Sequence, residues 1–301
     1  MLLPCGDMHI GLDNGKGDVG FVSHAHADHL NGARKKERII ASAETAALAG
    51  LKGQRVLPSN VQVYPAGHML GAQQIAVEHD GERTVYTGDI CLHPTLTNLA
   101  AEMVKCDRLI IDATYGDPRH RFPAYENTVD EMVQWIREND DANIIIGAYN
   151  MGKAQEITKI LNEYCGIAPL VNERTEEICD TYGKFGISLD RVPLDSNEAD
   201  EVLGRRFVAI VSMRHAKRYF ARKLEEAYGR KTLAAVATGW ALHYRFNVDR
   251  GFPFSDHADF HDLKDYIEQS GAKKVEFHSG DGKELLRACG FVSEATSLLN
   301  L

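Results

Sequence analysis

Three histidines and one aspartate are crowded into the segment Ser23–His29, and this cluster constrains the fold more than any other feature of the chain. The order Ser-His-Ala-His-Ala-Asp-His follows directly on the apolar run Val19–Val22, which reads as a strand. A loop after this strand would turn the imidazole and carboxylate groups into one space, which is costly without a cation. Because imidazole nitrogens and carboxylate oxygens are good zinc ligands, the segment predicts a metal site.

Two later motifs have the residue types that such a site needs. Ala66–Ala72 places His68 between two glycines, and Tyr86–Asp89 places Asp89 at the end of a predicted strand. Either motif alone is more often structural than functional. Their order after the first motif favours the functional interpretation.

The spacing H-x-H-x-D-H, with the two motifs behind it, resembles the signature of the metallo-β-lactamase superfamily. The resemblance implies two Zn²⁺ ions. The first would be held by His24, His26 and His68. The second would be held by Asp28, His29 and His278, and Asp89 would bridge the two ions. Asp28 is also implied to be catalytic, because it would orient the attacking water.

Further motifs resemble the β-CASP nucleases of that superfamily, which include the mRNA 3′-end cleavage factor, ribonuclease J and the cross-link-repair DNA nucleases. The resemblance implies that Asp112 and His257 are catalytic, as a carboxylate–imidazolium pair that protonates the leaving oxygen. The third motif, at His278, is typical of the RNA-processing members. The segments that carry the resemblance are Ile110–Gly116, Gly152–Glu156, Phe254–Asp259 and Val275–Gly280.

The alternation of apolar runs and helical patterns predicts an α/β protein. The resemblance refines this to a metallo-β-lactamase αββα sandwich in residues 1–118 and 242–301, with a β-CASP αβα domain inserted at 119–241. A short helix is predicted at Ala43–Ala49, with Ser42 as N-cap and Gly50 as its stop. The other predicted strands are Val61–Tyr64, Gln74–Val77, Thr84–Tyr86, Leu109–Ile111, Asn143–Ile146 and Phe207–Val211, and the other predicted helices are Asn127–Asn139, Lys153–Glu163 and Gly282–Ala288.

The charge balance argues against a protein that coats nucleic acid through bulk charge. The chain has 34 lysines and arginines against 43 aspartates and glutamates, a net charge of −9. A local basic groove remains compatible with that balance. Arg119, Arg121 and Lys153 are predicted substrate contacts, and the basic run Arg214–Lys223 fits phosphate binding or a solvated helix face equally well.

Six scattered cysteines without a C-x-x-C pair, and no signal-like or membrane-like segment, predict a cytoplasmic protein. Related enzymes often dimerise, so a homodimer is a further expectation.

The predicted activity is zinc-dependent hydrolysis of phosphodiester bonds in single-stranded nucleic acid, in RNA processing or decay or in DNA repair. Thr238-Gly239-Trp240 resembles the DNA-repair-type exonucleases, whereas His278 slightly favours RNA, and endo- versus exonuclease action stays open. The alternatives are a thioester or lactone hydrolase of the same fold, and a non-catalytic partner subunit. The inserted segment argues against the first, and the complete set of expected ligands argues against the second.

Overall fold

The computed structural model describes residues 1–291 and divides into two compact units. Unit 1 comprises Met1–Pro94, Asn98–Arg121 and the chain from Asp256 onward. Unit 2 comprises Thr95–Thr97 and Phe122–Ser255. Among residues 1–291, no helix has both the length and the apolar character needed to cross a membrane.

Unit 1 is built around two five-stranded sheets. The first sheet contains, in spatial order, β1 (Leu2–Cys5), β2 (Met8–Leu12), β3 (Val19–Phe21), β4 (Arg38–Ile40) and β5 (Gln54–Arg55). The second contains β16 (Lys274–Phe277), β9 (Arg108–Ile111), β8 (Glu82–Tyr86), β7 (Gln73–His79) and β6 (Val61–Pro65). The first strand pair, β1 with β2, is antiparallel, and β2 to β5 pair in parallel.

Both sheets contribute to one hydrophobic core. Ile10 and Phe21 of the first sheet are buried in the same cluster as Ile75, Tyr86 and Ile110 of the second. Burial of such side chains stabilises the fold by about 1.5–3 kcal/mol each. The mixed α/β architecture and the packed sheets are consistent with the metallo-β-lactamase fold.

The helices of unit 1 are α1 (Ala43–Ala49), α7 (Phe260–Ser270) and α8 (Lys283–Ala288). The predicted helix Ala43–Ala49 is confirmed with both of its ends. The Ser42 hydroxyl accepts a hydrogen bond from the Thr45 amide at 2.9 Å, and Gly50 ends the helix with a left-handed φ of 66°.

Unit 2 contains one six-stranded parallel sheet. Its strands, in spatial order, are β12 (Val192–Pro193), β11 (Leu170–Val171), β13 (Val208–Ser212), β10 (Asn143–Ala148), β14 (Thr232–Ala237) and β15 (Arg250–Phe252). Its helices are α2 (Tyr125–Glu138), α3 (Lys153–Ile160), α4 (Glu173–Lys184), α5 (Asn197–Leu203) and α6 (Arg218–Tyr228). The predicted helix at Lys153–Glu163 continues beyond α3 as a π turn, Leu161–Cys165.

Both faces of this parallel sheet are buried, which explains why its strands are continuous apolar runs. On one face, Ile144 of β10 shares a cluster with Met132 of α2 and Ile157 of α3. The opposite face is covered by α5 and α6, and the buried side chains there include Ile145, Val202 and Ala221.

The boundaries of unit 2 differ from the predicted insertion at 119–241. The main segment of the unit runs from Phe122 to Ser255, and it includes β15 because that strand pairs with β14 as the edge strand of the sheet. Leu242, Tyr244, Phe246 and Val248 alternate with polar residues, which indicated strand character after residue 242 but not which sheet a strand there would join.

A buried carboxylate joins the short segment Thr95–Thr97 to α3. Glu156 is 5% exposed and accepts hydrogen bonds from the Thr95 hydroxyl at 3.0 Å, the Leu96 amide at 2.9 Å and the Thr97 amide at 3.1 Å. The hydroxyls of Thr97 and Tyr125 also donate to it. Burial and the Glu156 charge raise the pKa of Tyr125, which keeps that phenol protonated as a donor.

We expect Glu156→Gln to lower the free energy of unfolding by about 2–4 kcal/mol, because an amide nitrogen would face donors in a buried site. The midpoint of urea denaturation measures the change. Glu163→Gln is the matched control. Its side chain is 51% exposed in a salt bridge to Lys159, so the loss should be below about 0.5 kcal/mol. Equal midpoints for the two variants would contradict the expectation.

Candidate metal centre

Four side chains from three loops of unit 1 converge at the ends of its strands. His24 and His26 follow β3, His68 follows β6, and Asp89 follows β8. Their ligand atoms all lie within 4.8 Å of one another. Asp89 Oδ2 is 3.6 Å from Nε2 of His24 and 3.8 Å from Nε2 of His68, and His26 Nδ1 is 3.1 Å from each of those nitrogens. The four groups therefore surround one point.

A second group of ligand atoms shares Asp89 with the first. Asp89, Asp112 and His278 also have their ligand atoms within 4.8 Å of one another. On the same side, Nε2 of His29 is 3.4 Å from Asp89 Oδ1. The two oxygens of Asp89 thus face different sets of imidazoles, as a bridging ligand requires.

The chemistry of this donor set fits a metal ion. Burial lowers the pKa of His24 well below its usual range and that of His68 to about 4, so both imidazoles are neutral, the form that binds metals. Burial would raise the pKa of Asp89, but His257 and His29 hold it well below its usual range. The neutral imidazoles of His24 and His68 beside this buried carboxylate could therefore hold a divalent cation.

The backbone around Asp256 fixes the orientation of His68. Nδ1 of His68 lies 2.8 Å from the Asp256 carbonyl oxygen, so the ring donates through Nδ1 and turns Nε2 toward the cluster. This partner sets the tautomer of the imidazole, as is usual for metal-binding histidines.

A buried carboxylate–imidazole pair borders the cluster. Asp112 is fully buried, and its Oδ2 lies 2.9 Å from Nδ1 of His257. Its Oδ1 accepts from the amide and hydroxyl of Thr114, at 2.8 and 2.7 Å, and from the Ser279 hydroxyl. Nε2 of His257 is 3.8 Å from Asp89 Oδ2. Burial lowers the pKa of His257, but the carboxylates of Asp89 and Asp112 outweigh this and raise it to about 9.

A glycine allows two backbone segments to meet beside this pair. Gly280 has a left-handed φ of 69°, and a Cβ atom there would lie 1.9 Å from the Ala113 carbonyl oxygen. The Ala113 amide donates to the Ser279 carbonyl at 3.2 Å. Only a residue without a side chain permits this approach.

We expect Gly280→Ala to lower the free energy of unfolding by about 2–4 kcal/mol, from positive-φ strain and the backbone clash together. Gly271→Ala is the control, since Gly271 has φ 70° with nothing within 4 Å of its Cβ position. The free energy of unfolding of that variant should fall by only about 1 kcal/mol, from the backbone strain alone. Thermal unfolding of the two variants separates the cost of the backbone strain from the cost of the clash. Equal losses of stability in the two variants would argue against the clash.

No protein-family model matches the chain. A probable DNA ligase from Opitutus terrae is 31% identical over 278 residues, which are 85% of this chain and 26% of that protein. An RNase J-like protein from Methanocaldococcus jannaschii is 33% identical over 153 residues, 49% of this chain and 36% of that protein. The chain belongs to the β-CASP group of the metallo-β-lactamase superfamily.

The chain spans only about a quarter to a third of the length of these two β-CASP-type relatives. A crystal structure of a protein of unknown function from Enterococcus faecalis has a similar fold. It aligns with a TM-score of 0.56 and 14% identity, over 86% of this chain and 74% of that one.

The cluster of this β-CASP-group chain contains most of the residues that the sequence predicts. The exception is Asp28, whose side chain is 80% exposed and whose Oδ2 is 3.7 Å from Nε2 of His29. It is absent from the ligand groups found among residues 1–291. The predicted residues that lie together are His24, His26, His29, His68, Asp89, Asp112, His257 and His278.

The three predicted substrate contacts have different surroundings. Arg119 is 81% exposed and its guanidinium binds Asp117 at 2.8 Å, and Arg121 is also exposed. Lys153 is only 3% exposed, and its ammonium donates to the Phe254 carbonyl at 3.1 Å. An ammonium in this position supports the local backbone of unit 2.

Asp13 orients His29, and no sequence motif predicted this role. Asp13 Oδ2 lies 2.6 Å from Nδ1 of His29, and it also accepts from the hydroxyls of Ser23 at 2.6 Å and Tyr86 at 2.7 Å. Burial would lower the pKa of His29, but Asp13 and Asp89 raise it to about 11. Asp13 follows β2 directly, just as Asp89 follows β8, and that strand-end position was the available signal.

Proposed function

We propose that this chain is a zinc-dependent nuclease that hydrolyses phosphodiester bonds of single-stranded nucleic acid. The observation that carries the proposal is Asp89, which faces two groups of ligand atoms at once, beside the Asp112–His257 pair. A carboxylate shared between two groups of ligand atoms is the arrangement of two-metal hydrolases.

The proposed ligands are taken from the two groups and from His29, whose Nε2 lies 3.4 Å from Asp89 Oδ1. His24, His26 and His68 would hold one ion, His29 and His278 would hold the other, and Asp89 would bridge them. Asp28 would complete the second site by turning its exposed carboxylate inward past His29. Zinc bound there would supply Lewis acidity at the phosphoryl group and would lower the pKa of water.

The residues of the chain supply orientation and a proton. Asp112 holds Nδ1 of His257, so that Nε2 faces the cluster near Asp89. From that position His257 would donate its Nε2 proton to the departing 3′ oxygen, which would leave a 5′-phosphate on the other product. Thr114 and Ser279 fix the carboxylate of Asp112 through its other oxygen, so the pair keeps one geometry.

We further propose that unit 1 is the αββα sandwich and that unit 2 is the inserted β-CASP domain. The support is the three-layer arrangement of unit 2, with its parallel sheet between α2 and α3 on one face and α5 and α6 on the other. Exposed Arg119 and Arg121 would contact phosphates of the strand. A cytoplasmic location and a homodimer stay predictions.

RNA is slightly favoured over DNA because a histidine at the motif position of His278 is typical of the RNA-processing members that the sequence resembles. The two relatives point in different directions by name, one to a DNA ligase and one to an RNase J-like protein.

Digestion of 5′-labelled single-stranded RNA and DNA, each with and without a 5′-phosphate, tests the proposal and separates endo- from exonuclease action. Zinc-loaded protein should cleave at least one substrate, and His26→Ala should not. If the loaded protein cleaves neither but hydrolyses a thioester, the small-molecule alternative replaces the proposal.

A further inference from the structure

A strongly cationic surface lies at the start of α6 in unit 2. Residues 212–224 contain five arginines and lysines and no aspartate or glutamate, in a chain whose net charge is −9. All five side chains are exposed. We call this surface the α6 patch, and its cations are Arg214, Lys217, Arg218, Arg222 and Lys223.

Aromatic rings are exposed among these cations. Tyr219 is 66% exposed, and the Lys223 ammonium lies 4.9 Å from the centre of its ring. The segment 243–247 adjoins the helix, since the Arg218 amide donates to the Asn247 carbonyl at 3.0 Å. That segment adds Tyr244, which is 62% exposed. Exposed ring faces interleaved with cations are the usual composition of a surface that binds single-stranded nucleic acid.

The cationic side chains at the start of α6 destabilise the helix itself. Lys217 is the N-cap, with no side-chain cap bond, and the first turn contains no acidic residue. Cations near the positive end of the helix dipole are unfavourable. The charge of Arg218 is offset by its salt bridge to Asp249 at 2.8 Å, so the repulsion concerns Lys217 above all. By contrast, α4 and α5 begin with capping Asn172 and Ser196 and acidic first turns.

One side of α6 packs against the hydrophobic core of unit 2, whereas its charged side does not. Ala221 is buried, and Phe220 and Leu224 pack on the same cluster. The side chains on the outer face do not contribute to that core. A ligand with several negative charges would relieve the repulsion at the start of the helix.

We propose that the α6 patch binds single-stranded nucleic acid, with phosphates at Lys217, Arg222 and Lys223 and bases stacked on Tyr219 and Tyr244. The inference rests on the proposed function, because the bound strand would be its substrate. An acidic protein would match the charges but would leave the ring faces without a flat partner. The patch would add affinity for longer strands.

The first experiment measures binding by fluorescence anisotropy. The metal-loaded protein is titrated into a labelled phosphorothioate oligoadenylate of about 20 nucleotides, which resists cleavage. Arg222→Glu with Lys223→Glu should weaken binding at least about tenfold and reduce the salt slope by about 1.4, at about 0.7 per lost phosphate contact. The double control Lys184→Glu with Arg205→Glu changes the same charge at exposed positions of unit 2 and should have a smaller effect.

The second experiment tests the rings. Tyr219→Ala should weaken single-strand binding by roughly tenfold, whereas Tyr219→Phe should retain it, because stacking needs only the ring. If Tyr219→Ala weakens binding to duplex DNA by the same factor, the assignment to single strands is wrong. It is also wrong if polyglutamate competes fully with the labelled oligonucleotide.

The outcomes separate this inference from the proposed activity. Hydrolysis of bis(p-nitrophenyl) phosphate should be unchanged in the α6 variants, because that small substrate has no further phosphates or bases to contact the patch. If the protein hydrolyses nothing but the variants lose binding, the proposed function fails and the inference stands. If binding is the same in Arg222→Glu with Lys223→Glu and in the control, the inference is wrong whatever the activity.

Discussion

Asp89→Asn is expected to lower metal-dependent cleavage of a labelled oligonucleotide by about a thousandfold or more. Asp89 faces both ligand groups, with Oδ2 3.6 Å from His24 and Oδ1 3.4 Å from His29. An amide has one weakly coordinating oxygen and an NH₂ group, so it would bridge two cations poorly. Bound zinc per chain, measured by mass spectrometry, should fall together with kcat.

Asp80→Asn provides a matched control for that change. Its side chain is 91% exposed, at a turn after β7 where the φ of 49° suits either residue. Zinc content and kcat should stay at the level of the unchanged chain. If Asp89→Asn retained both, Asp89 would not be a bridging ligand and the two-metal proposal would fail.

Asp112→Asn is expected to lower kcat by about a hundredfold to a thousandfold with little change in KM. The carboxylate accepts from Nδ1 of His257 at 2.9 Å, whereas an amide could present its NH₂ group there and reverse the tautomer. His257 would then be a neutral imidazole, and its Nε2–H would be a far weaker acid for the leaving oxygen than the imidazolium that the carboxylate stabilises.

Two measurements separate this effect from a structural one. Asp112 is buried with donors on both oxygens, so the midpoint of urea denaturation should be recorded for the same variant. Asp80→Asn again serves as the control, since its side chain is 91% exposed. An oligonucleotide with an activated leaving group needs little protonation and should restore much of the lost rate. No restoration would mean that the pair does not act as the proton donor.

The sequence predicted those helices and loops whose ends are determined by residues close by in the chain. The Ser42 cap and the Gly50 stop define α1 within a few residues of chain, and the sequence shows both. The loop after β3 was equally easy to recognise as a candidate metal site, because three histidines and one aspartate so close together seldom have a purely structural role.

Features that depend on distant contacts were harder to predict. Asp13 binds a histidine 16 residues away and a tyrosine 73 residues away, and neither partner is visible from its own segment. The edge strand β15 was missed because it has only three residues and its pairing with β14 is not visible from its own segment. Lys153 looked like a substrate contact, yet its ammonium reaches the carbonyl of Phe254, 101 residues further along the chain.

The hydrogen bonds of Glu156 have a consequence for how the protein can be divided. Residues 95–97 supply four donors to this carboxylate across about 60 residues of sequence. A fragment restricted to 122–255 would carry α3 but would leave the charge of Glu156 without those donors. Residues 122–255 alone are therefore not a suitable fragment of unit 2. A fragment meant to fold alone must also include the Thr95–Thr97 tripeptide.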